Sequence, residues 1–210
     1  MFVLSHKLDF PATHYADHNG LLALGGDLTV ARLQLAYSRG IFPWYSEGEP
    51  IMWFCPASRM VLFPENIKIS KSMRQVLRSK RFRVTFNMAF EEVISNCKTI
   101  DRSAQGENGT WITNDIKRAY VALFKLGTAK SIEVWEGDTL VGGLYGVEVG
   151  DVFCGESMFS KVSNVSKLAF IHLAQNNRYK LIDCQVYNPH LASLGAQEID
   201  RDAFLEILRK

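Results

Sequence analysis

Residues 130–154 leave this chain little freedom. Lys130-Ser131-Ile132-Glu133-Val134-Trp135 alternates, Glu136-Gly137-Asp138 turns, and Thr139 to Val149 returns as a second strand. Alternation of period two on both sides of a glycine turn is a β-hairpin. The apolar run Asp151-Val152-Phe153-Cys154 adds a third strand. Gly142 and Gly143 inside the second strand mark a bulge or a close approach by another part of the molecule. A helix follows with Val165, Leu168, Ala169, His172 and Leu173 at helical spacing, then a strand over 180–186, a short helix from Pro189 to Gly195, and a last helix from Asp200 to Arg209. This order predicts a mixed α/β layer.

The chain before the hairpin is more irregular. Leu24-Gly25-Gly26-Asp27 predicts a tight backbone turn. Thr29 is a plausible N-cap for a helix carrying Leu33, Ala36 and Tyr37, stopped by Gly40. Phe42, Trp44 and Tyr45 fall within four positions beside Pro43. They read either as a small core or as a platform on which bases stack. Val61-Leu62-Phe63 is a short strand, Ser70 caps a helix to Lys80 with Met73, Val76 and Leu77 inward, and residues 83–86 alternate as a strand. Phe90, Val93, Ile94 and Cys97 give the next helix its stripe. After a long polar loop over 99–110, Thr113 caps a helix carrying Ile116, Tyr120, Leu123 and Phe124. The fold class expected is α+β: an acetyltransferase-like mixed sheet with helices over residues 61–210, and a smaller α/β domain over residues 1–60.

Composition excludes several classes. At 210 residues and 47% hydrophobic, the chain can bury a core and is not a disordered protein. No apolar run has the length of a membrane span, and the N-terminus lacks the layout of a signal peptide. Cys55, Cys97, Cys154 and Cys184 form no CxxC pair, and Cys154 and Cys184, in apolar strand-like runs, read as core residues in a reducing compartment, so the expectation is a cytoplasmic protein without a metal site. Charge is near neutral at +2, but from Asn66 to Ala89 there are seven Lys or Arg and no Asp or Glu. Such a one-signed run is either a solvated helix face or a contact for phosphates, with Lys71, Arg74, Arg78, Lys80 and Arg81 the residues that would reach them.

Two places carry acidic chemistry. Glu156, in Gly155-Glu156-Ser157-Met158-Phe159-Ser160, follows the third strand at what reads as a strand end. It is either a solvated turn residue or part of a site on a rigid base. Asp183 and Gln185, two apart, would share one face of an otherwise apolar strand. A buried Asp needs a partner.

Leu22-Ala23-Leu24-Gly25-Gly26-Asp27-Leu28, Arg39-Gly40-Ile41-Phe42-Pro43-Trp44, Thr110-Trp111-Ile112, Leu140-Val141-Gly142-Gly143, Gly155-Glu156-Ser157-Met158-Phe159-Ser160 and Lys180-Leu181-Ile182-Asp183-Cys184-Gln185 occur in that order. With these blocks the chain resembles the bacterial leucyl/phenylalanyl-tRNA–protein transferases from about residue 20 to its end. The resemblance implies transfer of Leu or Phe, and Met less well, from aminoacyl-tRNA to the α-amine of proteins beginning with Lys or Arg, creating a degradation signal. It implies no CoA and no metal. It assigns Glu156, Asp183 and Gln185 to the reaction centre, and Trp44 and Trp111 with Tyr37 to the 3′ adenosine. Leu144, with Phe153 and Ser157, would form the pocket for the transferred side chain. The chain departs from the family with Lys130 and Phe124 where His is common, and with Cys55-Pro56-Ala57-Ser58-Arg59 for Ser-Pro-Asp-Pro-Arg. The partners expected are Leu-tRNA, Phe-tRNA and acceptor proteins; the enzyme is expected to be a monomer away from membranes.

In mechanism, Asp183 and Gln185 would form a relay that takes up the amine proton while Glu156 holds the acceptor. An acyl-CoA-dependent N-acetyltransferase would need a glycine-bearing pyrophosphate loop, and residues 161–167 contain no glycine. A tRNA-binding module without catalysis would have no use for the three polar residues together.

Overall fold

The computed structural model describes residues 1–100 and 111–209, so the polar loop expected over 99–110 lies outside them except at its first two positions. The first part of the chain forms β1 (Phe2–Leu4), β2 (Leu21–Gly25), α1 (Val30–Ser38), β3 (Phe42–Pro43) and β4 (Met52–Phe54). Its strands make a four-stranded sheet in the order β1-β2-β4-β3. Strands β1 and β2 were not foreseen in the sequence.

The rest comprises β5 (Ser58–Leu62), α2 (Lys71–Arg78), β6 (Arg83–Phe86), α3 (Phe90–Thr99), α4 (Asn114–Lys125), β7 (Ala129–Glu136), β8 (Thr139–Val149), β9 (Val152–Ser160), α5 (Val165–Gln175), β10 (Leu181–Gln185), α6 (Pro189–Ser193), β11 (Gln197–Asp200) and α7 (Arg201–Arg209). Its seven strands run in the order β11-β5-β10-β9-β8-β7-β6. A division at residue 60 would cut β5; the change between sheets falls at residues 55–57.

Helix starts are where the sequence puts them. The Thr29, Ser70 and Thr113 side chains accept hydrogen bonds from the backbone N–H of Arg32, Met73 and Ile116. The hairpin is β7–β8, and the strand alternation sends neighbouring residues to two separate cores. Val61, Cys154 and Leu181 face the first core, shared with α1, α3 and α4. Met60, Leu62, Phe153 and Ile182 face the second, shared with α5. Both faces of the central strands are therefore dry.

A bulge and close approach both bear on Gly142 and Gly143: Val141 is the extra residue between Gly142 opposite Val134 and Leu140 opposite Trp135, and both glycines are closely approached by their neighbours. A Cβ on Gly142 would stand 2.4 Å from Val165 Cγ2 of α5, and one on Gly143 would stand 2.6 Å from the Ile132 carbonyl oxygen.

Among the described strands of the large sheet, β9 and β10 are the parallel pair, joined from Leu181↔Val152 to Asp183↔Cys154. Beyond that level β9 pairs with β8 and β10 with β5. Gly146 lies beside this parting, where a Cβ would meet the Cys154 carbonyl oxygen at 2.3 Å and the Phe153 ring at 2.6 Å. Gly146→Ala should lower unfolding free energy by about 2–3 kcal/mol, because neither a backbone oxygen nor a core ring yields cheaply. Gly127→Asn, at φ +76 with open space around it, should cost no more than about 0.5 kcal/mol. Urea denaturation of the two variants checks the contrast.

Candidate active site

Glu156 does not lie at a strand end. β9 continues through it to Ser160, and Glu156 is the extra residue of a bulge, between Ser157 opposite Tyr145 and Gly155 opposite Gly146. β10 is bulged at the same level: Asp183 stands opposite Val61 and Gln185 opposite Met60, leaving Cys184 over. A bulge re-aims side chains by breaking the period-two alternation. The expectation that Asp183 and Gln185 share a face fails for this reason, and the two side chains have different partners.

Gln185 turns to Glu156, its Nε2 donating to Oε1 at 2.9 Å. Its backbone is left-handed at φ +64, a conformation costly for a side-chain-bearing residue. The Asp183 carboxylate holds it there, Oδ1 accepting the Gln185 N–H at 2.8 Å.

Two tyrosines complete the surroundings of Glu156. Tyr37 of α1 donates to Oε1 at 2.7 Å, Tyr120 of α4 donates to Oε2 at 3.0 Å, and the two hydroxyls also hydrogen-bond to each other. Burial and the neighbouring carboxylate push both phenols well above their usual range, so they remain neutral donors. With Glu156 ionised, these three oxygen–oxygen contacts share two hydroxyl protons. A proton on the carboxyl completes a ring in which each group donates once.

The electrostatics point the same way. Loss of solvation raises the Glu156 carboxyl to about 7, against the tyrosine hydrogen bonds, which favour the ionised form. Part of the residue's surface stays open; its carboxylate end is enclosed by the three donors.

Asp183 is completely buried and has a different solution. Arg59, 1% exposed, grips it with Nε to Oδ1 at 2.8 Å and a terminal nitrogen to Oδ2 at 2.6 Å. Both carboxylate oxygens are committed to this cation. Asp183 is thus the anchor of the bulge, whereas Glu156 faces neutral donors.

The remaining expected residues are dispersed. Trp44 is 42% exposed and lies against Phe54, at 5.7 Å between ring centroids. Trp111 is half-buried, and the Tyr45 hydroxyl bonded to Thr113 ties the two tryptophan-bearing segments together. Tyr37, expected with them, is 1% exposed and belongs to the carboxylate cluster, with no ring face open to a base. Leu144 is opposite Met158 and Ser157 opposite Tyr145, so Leu144 and Ser157 lie on opposite faces of the sheet. Phe153 is in the second core beneath Tyr179. These three do not line one pocket. Lys71, Arg74, Arg78 and Lys80 are exposed on and just after α2, whereas Arg81 is paired with Glu136 at 2.6 Å.

Arg59 and Tyr120 were missed as site residues. Arg59 carried a signal, an arginine leading the apolar run Met60-Val61-Leu62; Tyr120 looked like one more stripe residue.

Comparison with known proteins identifies the family. The family described as leucyl/phenylalanyl-tRNA protein transferase matches residues 61–209, and its N-terminal domain matches residues 26–57. The leucyl/phenylalanyl-tRNA–protein transferase of Flavobacterium johnsoniae is 58% identical over 100% of this chain and 99% of its own. That of Christiangramia forsetii is 54% identical over 99% and 100%. Among solved structures, FemX aligns with a TM-score of 0.47 at 10% identity over 86% of this chain and 71% of its own, too distant to carry residue roles. With both parts of the family pattern matched and more than half of its residues shared with such relatives, this chain belongs to the leucyl/phenylalanyl-tRNA protein transferase family.

Proposed function

We propose that the chain transfers Leu and Phe, and Met less well, from aminoacyl-tRNA to the α-amine of proteins beginning with Lys or Arg, marking them for degradation. The observation that carries the chemistry is Glu156, a carboxylate at about 7 enclosed by neutral donors beside Gln185. An acceptor α-amine has a pKa of about 7.7–8, so a useful fraction is neutral and nucleophilic. The ester is already activated, and positioning with charge stabilisation supplies most of the acceleration.

In this reading the neutral amine attacks the ester carbonyl carbon, an amide bond forms, and the bond to the ribose oxygen breaks. Glu156 accepts the amine proton, completing the hydroxyl ring with Tyr37 and Tyr120, and then gives that proton up to the departing ribose oxygen, which leaves as the free hydroxyl. Gln185 orients the carboxylate. Trp44 and Trp111 hold the 3′ adenosine by stacking. An apolar pocket separates Leu from smaller or similar side chains by only about 1–3 kcal/mol, which explains leakage to Met. Lys71, Arg74, Arg78 and Lys80 contact tRNA phosphates and read no bases.

Labelled Leu-tRNA with peptides differing only in their first residue tests the reaction: label should enter peptides beginning with Arg or Lys. Equal labelling of peptides beginning with Ala or Asp would remove the acceptor assignment.

Because Glu156 acts ionised, kcat at saturating substrates should fall about tenfold per pH unit below about 7. Glu156→Gln should lower kcat by about 10²-fold or more and abolish that limb. A limb that survives in this variant would assign it to another group.

Stability should move oppositely. The folded state holds the carboxyl at about 7 against an ordinary 4.5, so it binds the proton more tightly than the unfolded chain. That contribution is full below the ordinary value and disappears as pH rises through the folded one. The difference amounts to at most about 3 kcal/mol. Glu156→Gln should therefore raise Tm at pH 8 relative to the parent more than it does at pH 5, measured by thermal unfolding at both.

For the tRNA contact, log K against log salt should be steep. Replacing Lys71, Arg74, Arg78 and Lys80 together with Ala should flatten its slope by about 3, at roughly 0.7–0.9 per phosphate contact. An unchanged slope would take α2 out of the interface.

A further inference from the structure

Arg59 makes more contacts than an ion pair with Asp183 requires. Besides gripping Asp183 through two nitrogens, it donates from its remaining terminal nitrogen to the Gly40 carbonyl oxygen at 3.1 Å. Its guanidinium lies between two rings, 4.8 Å from the centroid of Phe42 and 4.6 Å from that of Phe204. The first is on β3 and the second on α7. Gly40, at φ +72, ends the turn after α1, and a Cβ there would stand 2.6 Å from Leu205 Cδ2 and 3.0 Å from the Phe204 ring. One buried cation thus joins α1, β3, α7 and β10 at a single point.

Its partner Asp183 holds the Gln185 N–H and with it the left-handed backbone of Gln185. Gln185 in turn reaches Glu156. Stability alone is a poor reason for such a pair, since well-packed apolar residues generally serve as well or better than a buried ion pair. A strained residue held at a functional level of the sheet is a better one.

We infer that Arg59 is a positioning residue for transfer: by fixing Asp183 in a two-point grip it holds Gln185 in the conformation that aims its amide at Glu156. The planar fork matters as much as the charge. Lysine at this place keeps the cation but offers no two-point grip and no flat face for the two rings. The inference rests on the reading of Glu156 and Gln185 as the reaction centre.

A double-mutant cycle in the full chain tests it. Arg59→Lys should lower kcat by about tenfold or more, leave KM for Leu-tRNA and for an Arg-starting peptide within about twofold, and retain cooperative thermal unfolding. Gln185→Ala should show the same pattern. The double variant should be no slower than Gln185→Ala alone, because Arg59 acts only through Gln185. Multiplying losses, or wild-type kcat in Arg59→Lys, would overturn the positioning role.

Should Arg59→Lys fail to fold, the paired replacement Arg59→Met with Asp183→Leu removes both charges at once, and is then compared with and without Gln185→Ala. Equal rates in that pair support the inference and unequal rates overturn it. Failure of the Glu156 reading is seen separately. In that case Glu156→Gln keeps the pH limb of kcat, whatever the cycle between Arg59 and Gln185 gives.

Discussion

Two carboxylates stand on adjacent strands of a sheet whose two faces are both covered, and the fold neutralises them in opposite ways. Asp183 is given a full counter-charge, two-point geometry and an aromatic sandwich around its partner. Glu156 is given only neutral donors: two phenols and an amide. A buried charge without a counter-charge moves its equilibrium toward the neutral form, so the Glu156 carboxyl is raised to about 7. Had the Arg59 guanidinium faced Glu156 instead, the carboxylate would be pinned in its ionised form. The contrast between the two carboxylates follows from which of them has the cation.

The local features of this architecture were legible because their causes are local. Caps at Thr29, Ser70 and Thr113 each act over three residues, and the β7–β8 hairpin is written in an alternation that breaks at one glycine turn. The site was legible only in part. Asp183 advertised that it needed a partner, but the partner lies 124 positions away, and no single-chain pattern pairs the two. The bulges at Glu156 and Cys184, unlike the glycine-marked one beside Gly142, gave no such signal in the sequence. One extra residue leaves the alternation intact on both sides, so Glu156 read as the end of a strand it actually interrupts, and Asp183 and Gln185 read as sharing a face they do not share. Glycine and glutamate side by side, both poor in strands, reinforced the first error. Tyr120 shows the same limit on a helix: a phenol aimed at a carboxylate and one aimed at a core have the same period.

The aromatic cluster of the N-terminal region divided its two readings between neighbouring residues. Phe42 and Tyr45 are core, while Trp44, between them, is exposed. Proline at 43 and the short pairing of β3 with β4 hold this stretch against the sheet while letting one ring point outward. Strand β3 ends at Pro43, so the period-two rule no longer governs Trp44, which is exposed although Phe42 two residues before it is core; neither reading of the cluster as a whole could have been right.

This sorting bears on what the N-terminal region is for. The surroundings of Glu156 are not complete within residues 61–209. Tyr37 supplies one of the donors to Glu156 and comes from α1. Arg59 begins the apolar stretch of β5 and fastens to the carbonyl of Gly40 at the end of the same helix. The last helix closes the arrangement from the other terminus, through Phe204 against Arg59 and Leu205 against Gly40. A large sheet alone would leave Glu156 facing water on the α1 side, where solvation would return it to the ordinary carboxylate range and the hydroxyl ring would lose a member. Through the Tyr37 phenol the small N-terminal region therefore shapes the surroundings of a carboxylate on another sheet.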